Sequence, residues 1–171
     1  MISFLSKYDS VLKLHFENST RFKGTSNLIQ NDLILSVGEV MLKTIKKEIS
    51  EASFVAFILD ETTDISNTSQ LSKIVRYVTK QGQIKERFLG FVDVSMQRTA
   101  LALNEIVLST IEDLDCGLKL VGQSYDGAAV MAGQLGGLQA KVKETYPSAL
   151  FVHCMAHRLN LVMQQSLNKI R

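Results

Sequence analysis

The chain has 171 residues, of which 46% are hydrophobic and 21% charged, with a single proline. This composition excludes a disordered chain, and a chain of this length buries enough surface to fold without a disulfide or a structural metal. The net charge of +2 is too small to predict nucleic-acid binding, but residues 51–139 hold seven basic and eleven acidic residues, whereas residues 140–171 hold five and one. An acidic segment followed by a basic one is compatible with a cation site beside a phosphate-binding surface, and random scatter of the charges would give the same pattern.

The sequence gives no indication of a membrane segment or a secreted disulfide framework. Its longest apolar run, Phe54 to Leu59, is about a third of the length that a membrane-spanning helix needs. The two cysteines are Cys116 and Cys154, and no hydrophobic leader follows Met1. We therefore expect a protein of a reducing compartment.

The first fifty residues are predicted to be helical. Between Leu28 and Ile49, apolar residues recur at intervals of three and four, which predicts an amphipathic helix or a helix pair. The preceding stretch from Ser3 to Phe22 has a weaker pattern and is predicted to form a helical or irregular arm. The predicted organisation is a helical leading segment at residues 1–50, followed by a second structural part at residues 51–171.

Strand patterns begin at Phe54. The apolar run from Phe54 to Leu59 predicts a strand that is covered on both faces and ends at the polar residues that follow. The segments from Leu71 to Thr79 and from Ile84 to Val94 are rich in Val, Ile, Tyr and Phe and are separated by a short turn. We predict that these two segments form a hairpin.

Helix and strand patterns alternate in the rest of the chain. A helix from Thr99 to Asp113 is followed by a short strand, Leu118 to Gly122, and a glycine-broken loop. The sequence then predicts a helix from Leu138 to Tyr146, a strand from Leu150 to Val152 and a helix from Ala156 to Ile170. Three strands followed by β-α-β crossovers predict an α/β fold with a mixed sheet and helices on both faces, in the order of the ribonuclease H-like fold.

Two acidic residues follow strands that should be neighbours. Asp60 comes directly after the first strand, and Asp126 lies just beyond the fourth. The crossover rules place these strands side by side, so that the two carboxylates can converge and bind a hard cation such as Mg²⁺. Spacing alone favours a plainer interpretation, in which Asp60 caps a strand end and Asp126 is a turn residue.

A second polar cluster, formed by His153, Cys154 and His157, stands at the start of the last predicted helix. A structural zinc ion would need a fourth ligand, for which only the remote Cys116 is available. The favoured interpretation is that His157 positions a carboxylate or a phosphate and that Cys154 packs in the core. The segment from Gly122 to Asp126 also approaches a serine-hydrolase elbow, but it has Asp where the elbow needs Gly.

Several segments together resemble the hAT superfamily of DNA transposases, in the DUF4371-containing branch of transposase-derived proteins that includes the zinc finger MYM-type proteins. The matching segments are FILDETTDIS (57–66), QLS (70–72), RYV (76–78), GQSYDGAAVMAG (122–133) and HCMAHRLNL (153–161). Each segment alone is short, but their combination is specific. The resemblance extends from about Leu28 to the end of the sequence.

This resemblance implies a ribonuclease H-like catalytic domain with Asp60 and Asp126 as its first two catalytic acids and metal ligands. Cys154 and His157 would be supporting residues of the same site. The implied cofactor is Mg²⁺ or Mn²⁺, and the implied reaction is the cleavage and strand transfer of DNA at transposon ends. The implied location is the nucleus, where the partner would be DNA, as transposon ends or chromatin.

The resemblance also implies that parts of the parent protein lie outside this sequence. The family's third catalytic acid, a Glu after a large helical insertion, would lie beyond Arg171, as would the segment that forms a homo-oligomer. We therefore expect an incomplete catalytic domain at residues 51–171 that binds divalent ions weakly and neither nicks nor joins DNA alone. The alternative is a domesticated, non-catalytic nuclear protein that uses the same fold to bind DNA or other proteins.

Overall fold

Helices form the first part of the chain in the computed structural model, which describes residues 2–20, 24, 26–63 and 65–168. The short helices α1 (Ile2–Leu5) and α2 (Ser10–Asn18) precede the long helix α3 (Asn27–Glu51), as the periodicity predicts. The predicted end of the arm at Phe22 lies outside the described residues.

The chain divides into two compact units, Met1–Thr44 and Ile45–Arg171, and α3 belongs partly to each. None of the described side chains before Ile45 is buried, whereas Ile45 and Ile49 lie in the core of the second unit. The candidate site residues Asp60, Asp126, Cys154 and His157 all belong to the second unit. No helix in the described ranges combines the length and apolar character needed to cross a membrane.

A five-stranded sheet organises the second unit. Strands β1 (Phe54–Thr63), β2 (Ser69–Val78) and β3 (Ile84–Asp93) are antiparallel neighbours, and β4 (Leu120–Tyr125) and β5 (Leu150–His153) continue the sheet in parallel on the other side of β1. The order across the sheet is β3-β2-β1-β4-β5. This mixed sheet confirms the predicted ribonuclease H-like class of α/β fold and the side-by-side position of its first and fourth strands.

Helices α4 (Ala100–Asp113) and α6 (Leu138–Thr145) share one apolar core with the sheet, and the short helix α5 (Ala129–Ala132) precedes α6. Helix α7 (Met155–Asn168) follows β5, and its predicted end at Ile170 lies outside the described residues. Burial of each large apolar side chain contributes about 1.5–3 kcal/mol, which fixes the helices against the strands. The core includes Val55, Phe57, Leu59, Leu71, Val75, Leu103, Val107, Ile111, Leu138 and Val142.

Strand β1 differs from its prediction in length and in burial. It continues beyond its predicted end at Leu59, through Asp60 to Thr63, because these polar residues pair with the first residues of β2. Phe54 is exposed, and the apolar residues from Val55 to Leu59 alternate between buried and half-buried positions. Only one face is fully covered, so the prediction of burial on both faces is wrong. Asp60 consequently lies within the strand rather than after it.

Strand β4 begins two residues later than predicted. A turn of 3₁₀ helix, Gly117–Lys119, occupies the predicted start. At the other end, pairing with β5 continues to Tyr125, which stands opposite His153. Asp126 therefore follows the last residue of β4 directly.

Candidate functional site

The register of the parallel pair β1 and β4 places Asp60 and Asp126 at the same level of the sheet. Ile58 pairs with Ser124, and each aspartate lies two residues further along its own strand direction. Residues two apart on a strand share a face. Continuing the register by two residues therefore sets Asp126 opposite Asp60, on the face that carries the half-buried Ile58 rather than on the face of the helical core.

The surroundings of the two aspartates differ. The Asp60 side chain is exposed, and its backbone carbonyl accepts a hydrogen bond from Ser72 Oγ at 3.0 Å. Asp126 is half-buried, and its Oδ1 accepts a hydrogen bond from the backbone N–H of Ala128 at 3.1 Å. This Asx turn fixes the direction of the Asp126 side chain where the strand ends.

Glu61, the neighbour of Asp60, does not join this pair. Strand alternation places it on the opposite face of β1, where its carboxylate forms an ion pair with Arg98. The Glu61 side chain is only 19% exposed. Its charge is therefore matched by the guanidinium on the other side of the sheet.

Cys154 and His157 lie next to the carboxyl end of β4, at the junction between β5 and α7. The backbone N–H of Cys154 donates to Tyr125 O at 2.7 Å, and the ring of His157 lies 6.3 Å from that of His153 between centroids. Cys154 is half-buried at this junction, so its predicted place in the core is wrong. Because His153 pairs with Tyr125, continuing the ladder by one residue sets Cys154 level with Asp126.

Zinc coordination through Cys116 finds no support in its surroundings. Cys116 is fully buried, its thiol donates a hydrogen bond to Ile111 O at 3.7 Å, and burial raises its pKa to about 11. A thiol that stays protonated is a poor metal ligand. Within the described ranges, no three His, Cys, Asp or Glu side chains are grouped so that they could hold a metal ion.

His153 packs against the loop that carries Asp126. A Cβ added to Gly127 would lie only 2.5 Å from His153 Nε2, so a larger residue at position 127 would force the His153 ring to shift. The ladder pairing of His153 with Tyr125 brings the ring to this place. This contact was not predicted, and its only signal in the sequence is the glycine directly after Asp126.

Gln123 on β4 is a buried polar residue with 2% exposure, three residues before Asp126. Its Nε2 donates to Ala149 O at 2.8 Å and to Gln139 O at 3.1 Å, and Tyr125 OH donates to its Oε1 at 2.9 Å. Burial raises the pKa of Tyr125 above its ordinary value, which keeps this hydroxyl a donor. The amide thereby ties β4 to α6 and to the residue before β5. No role was predicted for Gln123, although a polar residue at a strand position is a signal in the sequence.

The donor chemistry of the aspartate pair suits a hard divalent cation. Such ions bind one or two protein carboxylates and complete their coordination with water and phosphate oxygens. Asp60 and Asp126 would supply these two carboxylates from neighbouring strands.

Comparison with known proteins identifies the family. Residues 1–137 match the family described as "DUF4371: ZMYM1/FAM200, RNase-like domain". The human protein named 52 kDa repressor of the inhibitor of the protein kinase is 23% identical over 163 residues, which cover 93% of this chain and 21% of that protein. The mouse protein of the same name is 25% identical over 124 residues, which cover 71% of this chain and 16% of that protein. This chain thus spans about a fifth or less of the length of the curated relatives it matches. Because the family match covers most of the chain, including both aspartates, the chain belongs to the DUF4371 family of RNase-like domains.

Proposed function

We propose that this chain is part of an RNase-like domain of hAT transposase origin, in which Asp60 and Asp126 bind Mg²⁺ or Mn²⁺ against the phosphate backbone of DNA. The observation that carries this proposal is the parallel pairing of β1 with β4, whose register, continued two residues beyond Ile58 and Ser124, sets the two aspartates level with each other. Membership of the DUF4371 family and the segments that resemble hAT transposases support it. A divalent ion bound here would polarise a phosphate oxygen and offset negative charge during phosphodiester displacement.

The charge and the orientation of the two aspartates favour binding of a cation. Two carboxylates at one level of a sheet repel each other, and a cation relieves the repulsion. Asp60 lies within β1, where it pairs with Ser72 of β2, and Asp126 is oriented by its Asx turn. Such support holds ligands in place before the ion arrives.

Basic residues in the part of the sequence after Asp126 favour an anionic partner. Lys141 and Lys143 lie on α6 and Arg158 on α7, in the part of the sequence with five basic residues and one acidic residue. Such residues attract phosphate in a salt-dependent way. We therefore propose DNA as the partner and the nucleus as the location.

The metal assignment is tested by substituting each aspartate. We expect Asp60→Asn and Asp126→Asn each to abolish saturable Mn²⁺ binding, because each removes one of two ligating carboxylates. Titration followed by electron paramagnetic resonance of free Mn²⁺ measures this. Asp115→Asn is the matched control, since the exposed Asp115 precedes the opposite, amino end of β4 and makes the same change of charge.

In wild-type protein we expect weak Mn²⁺ binding, because two carboxylates supply few of the ligands that the ion needs. Tight Mn²⁺ binding that survives both aspartate substitutions would refute the assignment. So would equal losses in all three variants, because these would reflect net charge rather than coordination.

The name of the human and mouse relatives favours a second candidate function. Both relatives are named as repressors, which is a statement about those proteins. On this alternative, the present chain is a domesticated, non-catalytic nuclear module that binds DNA or protein. Fluorescence anisotropy with labelled duplex DNA separates the two candidates. DNA binding that is unaffected by Mn²⁺ and by Asp126→Asn would support the non-catalytic module, whereas Mn²⁺-dependent binding lost in that variant would support the metal site.

A further inference from the structure

We infer that Gln123 is a positioning residue that holds Asp126 opposite Asp60 by fixing an irregularity in the register of β4. The inference rests on the proposed function for the use of the two acids, but the geometric claim can be tested without metal. It concerns a side chain that lies in the core and touches neither carboxylate.

The irregularity is one extra residue in β4. Val55 pairs with Leu120, but the next residue of β1, Ala56, pairs with Gly122, so Val121 has no partner on β1. A regular ladder would pair Asp60 with Tyr125 and move Asp126 level with Glu61. Because a shift of one residue exchanges the faces of a strand, Asp126 would then belong to the core side.

Gln123 lies two residues beyond the extra residue, where the ladder becomes regular again. Here Gln123 pairs with Phe57, and its side chain points into the core. This direction lets its amide donate to the backbone carbonyls of Gln139 on α6 and of Ala149 before β5. In the regular ladder, position 123 would lie on the opposite face of the sheet, away from both carbonyls. The hydrogen bonds of Gln123 are therefore made only in the register that aligns the two aspartates.

Gly122 shows how closely the strands approach at this place. A Cβ added to Gly122 would lie 3.1 Å from the Cβ of Ala56. A side chain at position 122 would therefore crowd Ala56 beside the extra residue. Gln123 and Tyr125, which are both buried on the core side, hold the strand in this arrangement.

The geometric claim is tested by a disulfide between the two acid positions. Neighbouring strands lie about 4.8 Å apart, a separation that a disulfide can bridge. We expect Asp60→Cys with Asp126→Cys, in a Cys154→Ser background, to cross-link under mild oxidation. Adding Gln123→Met should strongly reduce cross-linking, whereas adding Val142→Ala, which removes core volume without touching the amide, should not. Equal cross-linking with and without Gln123→Met, or none in the parent pair, would overturn the inference.

The consequence for the site is measured with both aspartates intact. We expect Gln123→Met to weaken Mn²⁺ binding by about 10-fold or more, as residues that orient metal ligands do. Val142→Ala should leave Mn²⁺ binding unchanged, which separates positioning from a general loss of stability. Circular dichroism confirms folding. If Gln123→Met does not fold, Gln123→Asn replaces it, since its shorter amide cannot reach both carbonyls.

The two measurements distinguish this inference from the proposed function. If wild-type protein binds no Mn²⁺ but cross-linking depends on Gln123, the proposed metal site is wrong and the positioning role stands. If Mn²⁺ binds through both aspartates with the same affinity in Gln123→Met, the positioning role is wrong and the metal site stands.

Discussion

At the scale of single residues, the space at Gly127 is limited by the ring of His153 rather than by the conformation of the glycine. A Cβ at this position would collide with His153 Nε2. We expect Gly127→Ala to destabilise the protein by about 1–3 kcal/mol, as overpacking does elsewhere. Urea denaturation measures the change. Gly136→Ala is the control, because a Cβ there would meet nothing within 4 Å, and its effect should stay within about 0.5 kcal/mol.

A double-mutant cycle tests whether the ring of His153 is the cause. In a His153→Ala background, the added methyl group has room, so Gly127→Ala should cost much less than in the wild type. Additive effects of the two substitutions would contradict this explanation.

At the scale of secondary-structure elements, Glu48 ties the end of α3 to the sheet. Its carboxylate accepts a hydrogen bond from Tyr77 OH and forms ion pairs with Lys85 at 2.9 Å and Arg87 at 3.4 Å. The hydrogen bonds from Tyr77 and then Lys85 lower the pKa of Glu48, although partial burial opposes them. Burial and the same hydrogen bond raise the pKa of Tyr77 to about 12.

The lowered pKa of Glu48 predicts the pH dependence of stability. A carboxyl group whose pKa is lower in the folded state stabilises the protein above its ordinary pKa of 4.5, and this stabilisation is lost as the pH falls towards the folded-state value. We expect Glu48→Gln to cost about 1 kcal/mol at pH 7 and progressively less below pH 4.5. Urea denaturation across this range measures the difference, with Glu51→Gln in the same helix as control. A constant difference at all pH values would contradict the assignment.

The elements themselves were largely predictable, because apolar periodicity is a local property of the sequence. The end of β1 could not be predicted from periodicity, because Asp60 to Thr63 are polar and their strand conformation comes from pairing with β2. The aspartate pair could be proposed from the order of strands and acids. The role of Gln123 could not be proposed from the sequence, because its hydrogen-bond partners on α6 and before β5 are brought to it only by tertiary packing.

At the scale of the whole molecule, the second compact unit begins at Ile45, whereas the predicted boundary lies after residue 50. We expect residues 45–171 to unfold with the stability of the same unit in the full chain, because no described side chain before Ile45 is buried. Residues 51–171 should be less stable, since they lack the buried Ile45 and Ile49, each of which contributes about 2–5 kcal/mol. Thermal unfolding followed by circular dichroism compares the two fragments. Equal stability would place the boundary after residue 50.

The parallel pairing of β1 with β4 also determines when the site can form. It joins Val55 to Leu120, whereas β1, β2 and β3 pair through short connections. Contacts between residues distant in sequence are slow to form, because a large loop must close before they contribute any stability. During synthesis, β1 and its hairpin neighbours leave the ribosome well before β4, and one edge of β1 remains unpaired until β4 arrives. Such an edge can pair with other chains. The two aspartates therefore meet late in folding, and the edge of β1 on which their alignment depends is exposed to aggregation until then.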